Sequence, residues 1–252
     1  MKTLNDSLII FERSMRYTLR SPVWVLLGLI QPLLYLLLFG PLLQRLADLP
    51  DFGGANSWQV FVPGLLIQQG LFGSLYAGFS ILGEARSGVV ERFKLTPASD
   101  LAVLLGRLLR DVVVLLVQTA ILAFGSYAIG LRAPVSGVVV ALLVVLLLGV
   151  GVSAFSYGLA LRIRNEEALT SLLTSVTLPL MLLSGILLPM TLAPVWLTDL
   201  AKANPVSHIV TAERALFTGN LSGGTTLLGE AIAVVIVVLG SMFGLRALRA
   251  EA

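Results

Sequence analysis

Six apolar stretches, each long enough to cross a lipid bilayer, constrain the fold of this chain of 252 residues more than any other feature of its sequence. A transmembrane helix needs about 20 mostly apolar residues to cross a hydrocarbon core about 30 Å thick. Charged residues make up 12% of the chain, against about 25% in soluble domains. The sequence therefore predicts an all-α membrane protein with one transmembrane domain over residues 1–252, whose spans cover about 22–43, 58–81, 111–129, 136–161, 168–189 and 226–245.

Basic residues are distributed unevenly over the connections between these spans. With a cytoplasmic N-terminus, thirteen of the 17 Lys and Arg residues lie inside, and only Arg45, Arg132, Lys202 and Arg214 lie outside. Lys and Arg are enriched in cytoplasmic loops, so this distribution predicts that both termini are cytoplasmic. It also accounts for the net charge of +3 without nucleic-acid binding.

Two segments outside the spans are predicted to form short helices. Residues 4–20 are typical of an amphipathic helix in the membrane interface, with a solvated helix as the alternative; its apolar stripe contains Leu4, Leu8, Phe11, Met15 and Leu19. Residues 193–219 are too apolar for a plain loop, and Asn204-Pro205 divides them into pieces too short to span. These pieces are predicted to be external helices, either interfacial or re-entrant, which membrane proteins tolerate where the backbone is buried in protein.

The longest polar break in the chain, residues 82–110, connects spans 2 and 3. Thr96-Pro97 is expected to end one cytoplasmic helix and begin the next, with Thr96 as N-cap, Pro97 at the first helical position and Asp100 in the first turn. A charged helical corner between two spans can act as a lever for a protein bound on the same side. We therefore predict that this region couples a transporter to another polypeptide that supplies the energy; a solvated charged loop is the alternative.

Residues that the chain lacks exclude several functions. Cysteine is absent and His208 is the single histidine, so no thiolate or histidine metal site is expected. There is no GxxxxGK[ST] phosphate loop, so ATP hydrolysis is expected on another chain. Neither Ser184-Gly185 nor Glu166-Glu167 has the partners that a hydrolase motif requires, so no catalytic residue is predicted. The spans have no ionisable residue near their middle, which argues against an ion-coupled carrier.

Polar and small residues inside the spans give two further predictions. An unpaired amide in lipid is costly, so at least one of Gln68 and Gln69 should face protein or a cavity. Five polar residues are candidates for lining a substrate path, and the alternative is that they hydrogen-bond to neighbouring helices. They are Gln68, Gln69, Thr170, Thr174 and Thr177. Small residues at four-residue spacing predict close helix packing, and they are Gly70, Ser74 and Gly78 in span 2 and Gly240 and Gly244 in span 6.

Three stretches together resemble ABC-2 type transporter permeases. The segment GEARSGVVERFKLTPASDLAVLLGRLLRD resembles the family signature, an acidic–basic pair and a Gly followed by E-R-x-x-x-T-P-x-S and a later basic residue. The segment FVPGLLIQQG resembles the second span, and LLSGILLPMTLAPVWLTDLAKANPVSHIVTAERALFTG resembles the fifth span and the external helices. The resemblance covers nearly the whole chain and is closest to daunorubicin-resistance-type drug-export permeases, with nodulation and polysaccharide-export permeases less similar.

This resemblance implies partners and roles for particular residues. It implies a permease in the bacterial cytoplasmic (inner) membrane, among membrane lipids, that pairs with a second permease copy as a homodimer or heterodimer. Two copies of an ATP-binding cassette ATPase would dock on it and would hold ATP and Mg, with no cofactor on this chain. The implied ATPase-coupling residues are Glu84, Arg86, Gly88, Glu91, Arg92, Thr96 and Pro97, and the implied external gate contains Asn204, Pro205, Glu213 and Arg214.

The expected function is therefore ATP-driven export of an amphipathic drug, lipid or lipid-linked glycan. One alternative is a six-span membrane enzyme or assembly factor without an ATPase partner, and another is an ion-coupled carrier. Co-purification with a soluble ATPase separates the first from the second, because only the exporter needs such a partner. An ion-coupled carrier would transport its substrate with a gradient alone.

Overall fold

A computed structural model of the chain describes residues 2–21, 23–46, 57–86, 88, 99–187, 190 and 193–251. The regular elements within these ranges are all helices, which confirms the all-α prediction. In chain order they are α1 (Lys2–Arg20), α2 (Val23–Leu46), α3 (Ser57–Leu75), α4 (Gly78–Arg86), α5 (Asp100–Ala128), α6 (Val135–Ile163), α7 (Glu166–Ser184), α8 (Val195–Lys202), α9 (Pro205–Phe217) and α10 (Gly224–Glu251).

Five helical stretches in the described part of the chain are long and apolar enough to cross a membrane, and they are Ser57–Arg86, Asp100–Ala128, Val135–Ile163, Glu166–Ser184 and Gly224–Ala250. A sixth is reached if α1 and α2, which are bent by 67° relative to each other, are counted as one broken span. A chain with five or six such helices is a multi-pass membrane protein. Helices α8 and α9, with 8 and 13 residues, are too short to span.

The second span is a bent stack of α3 and α4 that continues to Arg86. At the bend the backbone N–H of Gly78 donates to Ser156 Oγ at 3.0 Å, and the Ser156 hydroxyl donates to the carbonyl of Leu75. The hydroxyl on α6 therefore satisfies two backbone groups that the break leaves without helical partners. This contact also fixes the direction of α4 relative to α3.

The third span differs from the sequence-based expectation in where its helix begins. The sequence predicted a helix that begins at Pro97 and enters the bilayer near Asp111, whereas the helix observed, α5, begins at Asp100 and runs through Asp111 without a break. Its N-cap is Ser99, whose Oγ accepts from the N–H of Ala102 at 3.3 Å, and not the predicted Thr96. Leu104 and Leu108 are buried before Asp111, so tertiary packing stabilises this first part of the helix. Thr96 and Pro97 themselves lie outside the described residues.

Helix α6 forms the centre of the bundle and packs closely against α3, α4 and α10. A Cβ atom added to Gly240 would lie 2.0 Å from the carbonyl oxygen of Gly151, and one added to Gly244 would lie 2.4 Å from that of Ala154. On the other side, a Cβ on Gly70 would lie 2.8 Å from Val145 Cγ1. These contacts confirm that the small residues of spans 2 and 6 mark close helix crossings.

Candidate functional site

A group of buried and half-buried charged side chains joins α4, α5 and α6. This inner charged cluster contains Glu84 of α4, Arg107, Arg110 and Asp111 of α5, and Tyr157 of α6. Arg107 forms an ion pair with Glu84, and Arg110 Nη2 lies 2.7 Å from Asp111 Oδ1. The Tyr157 hydroxyl donates to Asp111 Oδ2 at 2.5 Å and accepts from Arg110 Nη2 at 3.1 Å.

Helical spacing explains why α5 supplies three members of this cluster. Positions 107, 110 and 111 are related by i, i+3 and i+4, so their side chains project from neighbouring parts of one helix face. The Arg107 guanidinium carbon also lies 5.9 Å from the centroid of the Tyr157 ring, within range of a cation–π interaction. Because the Arg107 side chain is only 5% exposed, its charge depends on these partners for stabilisation.

A second ion pair connects the end of α4 to the start of α7. Arg86 Nη1 lies 2.9 Å from Glu166 Oε2, with side chains 63% and 39% exposed. Asn165 N-caps α7, its Oδ1 accepting from the N–H groups of Glu167 at 2.8 Å and Ala168 at 3.2 Å, and this fixes Glu166 at the first helical position. An exposed pair is worth only about 0–1 kcal/mol, so it contributes mainly to the position of α4 relative to α7.

The predicted coupling residues fall partly on these links. Glu84 and Arg86 make the two ion pairs that join α4 to α5 and α7. Gly88 has φ of +69°, a conformation that favours glycine, and its N–H donates to the carbonyl of Ala85 at 3.1 Å. Their role in coupling stays a prediction. Glu91, Arg92, Thr96 and Pro97 lie outside the described residues and also remain predictions.

A cavity of about 1140 Å³ adjoins the charged cluster, and we call it the inner cavity. Its walls come from α1 to α6, and they include Gln68, Gln69 and Gln118 at the depth of the spans. Gln69 Nε2 donates to Gln118 Oε1 at 2.7 Å, and Gln118 Nε2 donates to the carbonyl of Val25 at 2.9 Å. This confirms that the amides of span 2 face protein and a cavity, while their place on a substrate path stays a prediction.

The threonines of span 5 are not brought to this cavity. Thr170 and Thr174 are exposed on α7, and the Thr170 hydroxyl donates to the carbonyl of Glu166 at 2.7 Å. Thr177 is partly buried, and its hydroxyl has no hydrogen-bond partner among the residues that the structure describes. Within one chain, the two groups of candidate path residues therefore lie on different surfaces.

The predicted external-gate residues occupy well-defined positions on α9. Asn204 is the N-cap, with Oδ1 accepting from the N–H of Val206 at 3.0 Å, and Pro205 follows at the first helical position. Arg214 donates from Nε to the carbonyl of Val60 at 3.0 Å and from Nη2 to that of Gly185 at 2.6 Å. Arg214 therefore ties α9 to the start of α3 and the end of α7. A gating role stays a prediction.

Glu213 lies beside Arg214 in sequence but in a different environment. It is fully buried, and neither carboxyl oxygen has a hydrogen-bond partner in the described ranges. Burial, and then the negative charge of Glu230 on α10, raise the pKa of Glu213 well above its ordinary value, which favours the neutral acid. Burial also lowers the pKa of Arg214 to about 10.

Sequence reasoning missed most of the inner charged cluster. Arg107 and Arg110 were counted only as cytoplasmic charges, Asp111 as the entry to span 3, and Tyr157 not at all. The spacing 107, 110, 111 was a signal that these charges share a helix face. Nothing in the sequence pairs them with Glu84 or Tyr157, which belong to other helices.

Comparison with known proteins agrees with this architecture. The sequence model described as "ABC-2 type transporter" matches residues 6–218. The "Daunorubicin resistance ABC transporter permease protein DrrB1" of Streptomyces coeruleorubidus is 31% identical over 82% of this chain and 73% of its own length. The "Putative transport permease ycf38" of Cyanophora paradoxa is 26% identical over 85% of this chain and 75% of its own length. The protein with the same description from Pyropia yezoensis is 27% identical over 87% of this chain and 79% of its own length. The chain therefore belongs to the ABC-2 type transporter family and is a multi-pass membrane permease of an ATP-binding cassette transporter.

Proposed function

We propose that this chain is an exporter permease that moves an amphipathic drug, lipid or lipid-linked glycan with energy from a separate ATPase. The observation that carries the proposal is the double connection of α4, through Glu84 to Arg107 of α5 and through Arg86 to Glu166 of α7. Force applied to the cytoplasmic segment after α4 would reach two spans through these pairs. The family and the relatives' descriptions as transport permeases support this reading.

The partners follow from the family. ABC-2 permeases work with an ATP-binding cassette ATPase and dimerise, and we infer two ATPase copies, each holding ATP and Mg, on two permease copies. No catalytic site is needed on this chain. An exposed apolar face on α7, including Leu172, Val176, Leu178 and Leu182, supports an interface with the second permease or a path between the two copies. Thr170 and Thr174 lie exposed on the same helix and are proposed to line that path.

The orientation in the membrane follows from charge and exposure. We infer a bacterial cytoplasmic membrane protein with both termini in the cytoplasm. Helix α1 would lie in the inner interface, because its apolar residues Leu4, Leu8 and Leu19 are exposed from the protein and would contact lipid. This orientation places the end of α4 on the side where an ATPase binds, and it places α9 with Arg214 on the outside.

The substrate class is supported by the interior of the bundle and by one relative. The spans of the bundle are apolar but contain amide and hydroxyl groups, and they have few charges away from their cytoplasmic ends. Such an interior suits an amphipathic molecule. One relative is described as a daunorubicin resistance permease, and daunorubicin is a first compound to test.

Reconstitution with the ATPase tests the proposal. The chain should co-purify with a phosphate-loop ATPase, and proteoliposomes of the complex should move a fluorescent amphiphile when ATP is supplied. Glu84→Gln should lower transport about tenfold or more while ATP hydrolysis continues, because the link to Arg107 is lost. The matched control is Glu167→Gln, an exposed acid beside the α7 cap, which should transport normally. A chain that co-purifies with no ATPase, or that transports with a gradient alone, would contradict the proposal.

A further inference from the structure

We propose that the inner cavity of each protomer is a binding site for an anionic amphiphile, with its phosphate or carboxylate group against the inner charged cluster and its apolar part toward Gln69 and Gln118. The site would lie within one permease chain and not between two copies. The claim that the bound molecule is cargo rests on the proposed function. The claim that it binds does not, because binding is measured on the isolated chain.

The cavity has the size and lining of a ligand site. At about 1140 Å³ it slightly exceeds the range of about 300–1,000 Å³ that is usual for pockets that bind drug-sized molecules. Tyr17, Phe72, Tyr76 and Phe79 provide aromatic surface in its walls. The rings of Tyr76 and Phe79 lie 5.8 Å apart and are nearly parallel, at 23°. Such walls suit an acyl chain or a ring system more than water alone.

The polar end of the cavity has hydrogen-bonding capacity that the described residues leave unused. Arg107 Nε and Arg110 Nε are buried donors without a partner, and Gln68 Oε1 is a buried acceptor without one. All three side chains belong to the cavity wall, and the Arg107 and Gln68 residues are more than nine-tenths buried. Leaving such a group unpaired costs about 1–3 kcal/mol. A bound headgroup with acceptor oxygens can reorganise this wall and satisfy the guanidinium donors.

The charges around the cavity favour a negative headgroup. Among the described wall residues, three are cationic and two are anionic, namely Arg13, Arg107 and Arg110 against Glu84 and Asp111. Arginine binds carboxylate and phosphate through charge-assisted hydrogen bonds, which are stronger than bonds between neutral groups. The two acids balance the two arginines of the cluster, and Arg13 of α1 adds the third positive charge, so the cavity wall as a whole prefers an anionic amphiphile to a neutral one of the same shape.

The first helix provides a route from the inner leaflet. Ser14, Tyr17 and Thr18 of α1 and Val25 and Gly28 of α2 form one wall, so the cavity borders the corner where these two helices meet at 67°. Helix α1 is fixed at its other end, because Gly106 of α5 allows it to approach so closely that a Cβ there would lie 2.7 Å from the carbonyl of Ser7. A lipid-like molecule in the inner leaflet would thus enter sideways between α1 and α2.

Binding to the purified chain in a neutral detergent, without the ATPase and without ATP, tests this inference. The probe is a pyrene-labelled phosphatidic acid, with pyrene-labelled diacylglycerol as the probe that lacks the anionic group. We expect saturable binding of one phosphatidic acid per chain, and diacylglycerol binding weaker by about tenfold or more. Unlabelled oleate as competitor identifies the source: displacement indicates that any anionic amphiphile is accepted, and no displacement indicates a membrane phospholipid.

Two variants that fill the cavity from opposite walls locate the site. Gly73→Phe on α3 and Thr18→Trp on α1 should each weaken phosphatidic acid binding about tenfold or more. Gly125→Phe is the matched control, because Gly125 is not in the cavity wall and a Cβ there meets nothing within 4 Å, and it should bind like the unaltered chain. Elution as a single species on size exclusion confirms that each variant is folded. Equal binding of diacylglycerol, or unchanged binding by both folded cavity variants, would overturn the proposal. Neither result would bear on ATP-driven transport, which is measured separately.

Discussion

Substitution of Gly240 by alanine tests one of the closest helix crossings in the described part of the chain. The added Cβ would lie 2.0 Å from the carbonyl oxygen of Gly151, and ordinary contact begins near 3.4 Å, so α6 and α10 would have to separate by about 1.4 Å. The clashing atom belongs to the backbone and cannot rotate away as a side chain could. The same face carries Gly244, whose Cβ would lie 2.4 Å from the carbonyl of Ala154.

The expected loss of stability follows from this geometry. Overpacking a close contact costs about 1–3 kcal/mol, and a backbone clash belongs at the upper end of that range. Because 1 kcal/mol shifts the melting temperature of a chain of 150–250 residues by about 2–4 °C, we expect an apparent melting temperature about 6–12 °C lower for Gly240→Ala. Alanine also stabilises a helix by up to about 1 kcal/mol relative to glycine, so the control must be another glycine-to-alanine substitution within a helix.

Gly125→Ala provides that control, because Gly125 is a helical glycine with nothing within 4 Å of its added Cβ. Both variants are heated in detergent, and the fraction that remains monodisperse on size exclusion gives the apparent melting temperature. The comparison between the two variants isolates the clash from the helix propensity of alanine. Equal melting temperatures for the two variants would refute the crossing of α6 and α10 at Gly151.

Three further predictions concern the charged groups. Because the pKa of Glu213 is raised above its ordinary value of 4.5 in the folded chain, the folded state holds a proton that the unfolded state loses, so stability should fall as pH rises from about 5 to 8. Glu213→Gln should remove this fall, and parallel melting curves of the variant and the unaltered chain over that range would count against a buried neutral acid. Reversing the charge of either Arg86 or Glu166 should lower transport, and exchanging the two charges in a double variant should restore it. Because the pair is exposed, less than about 1 kcal/mol of stability should be lost. A double variant as defective as the single variants would show that this pair does not link α4 to α7. Arg214→Lys should lower the apparent melting temperature by about 2–8 °C. One ammonium group cannot replace both hydrogen bonds that Arg214 donates to the carbonyls of Val60 and Gly185. Losing a bond to a buried acceptor costs about 1–2 kcal/mol or more. The exposed Arg132→Lys is its control, and equal shifts would show that Arg214 does not hold α9 to α3 and α7.

The sequence predicted the fold class and the membrane helices well because a single physical requirement determines both. A span must be apolar over about 20 residues, and that pattern is readable without tertiary information. The start of α5 was harder to place. Thr96-Pro97 has the residue types of a helix start, but Ser99 is also a good N-cap, and it is Ser99 that caps α5.

Contacts between distant residues could not be read from the sequence. The inner charged cluster brings together α4, α5 and α6. The hydrogen bond between Gln69 and Gln118, which are 49 residues apart in sequence, joins two spans. The different surroundings of two neighbouring residues of the predicted external gate could not be read from the sequence either. Glu213 and Arg214 are adjacent in sequence, but their side chains have different surroundings. One is a buried acid without a partner among the described residues, while the other binds two carbonyl groups.

The central claim is that the Glu84–Arg107 link carries ATP-driven movement from the end of α4 into the spans. The chain has no cysteine, so Leu178→Cys, at an exposed position on α7, provides a single spin-label site in each permease copy. Pulsed electron resonance on the complex with its ATPase measures the distance between the two labels with and without ATP. We expect a distance change on ATP binding that is preserved in Glu167→Gln and abolished in Glu84→Gln, although ATP is bound in all three. The same distance change in Glu84→Gln as in the unaltered chain would show that the movement does not pass through the Glu84–Arg107 link.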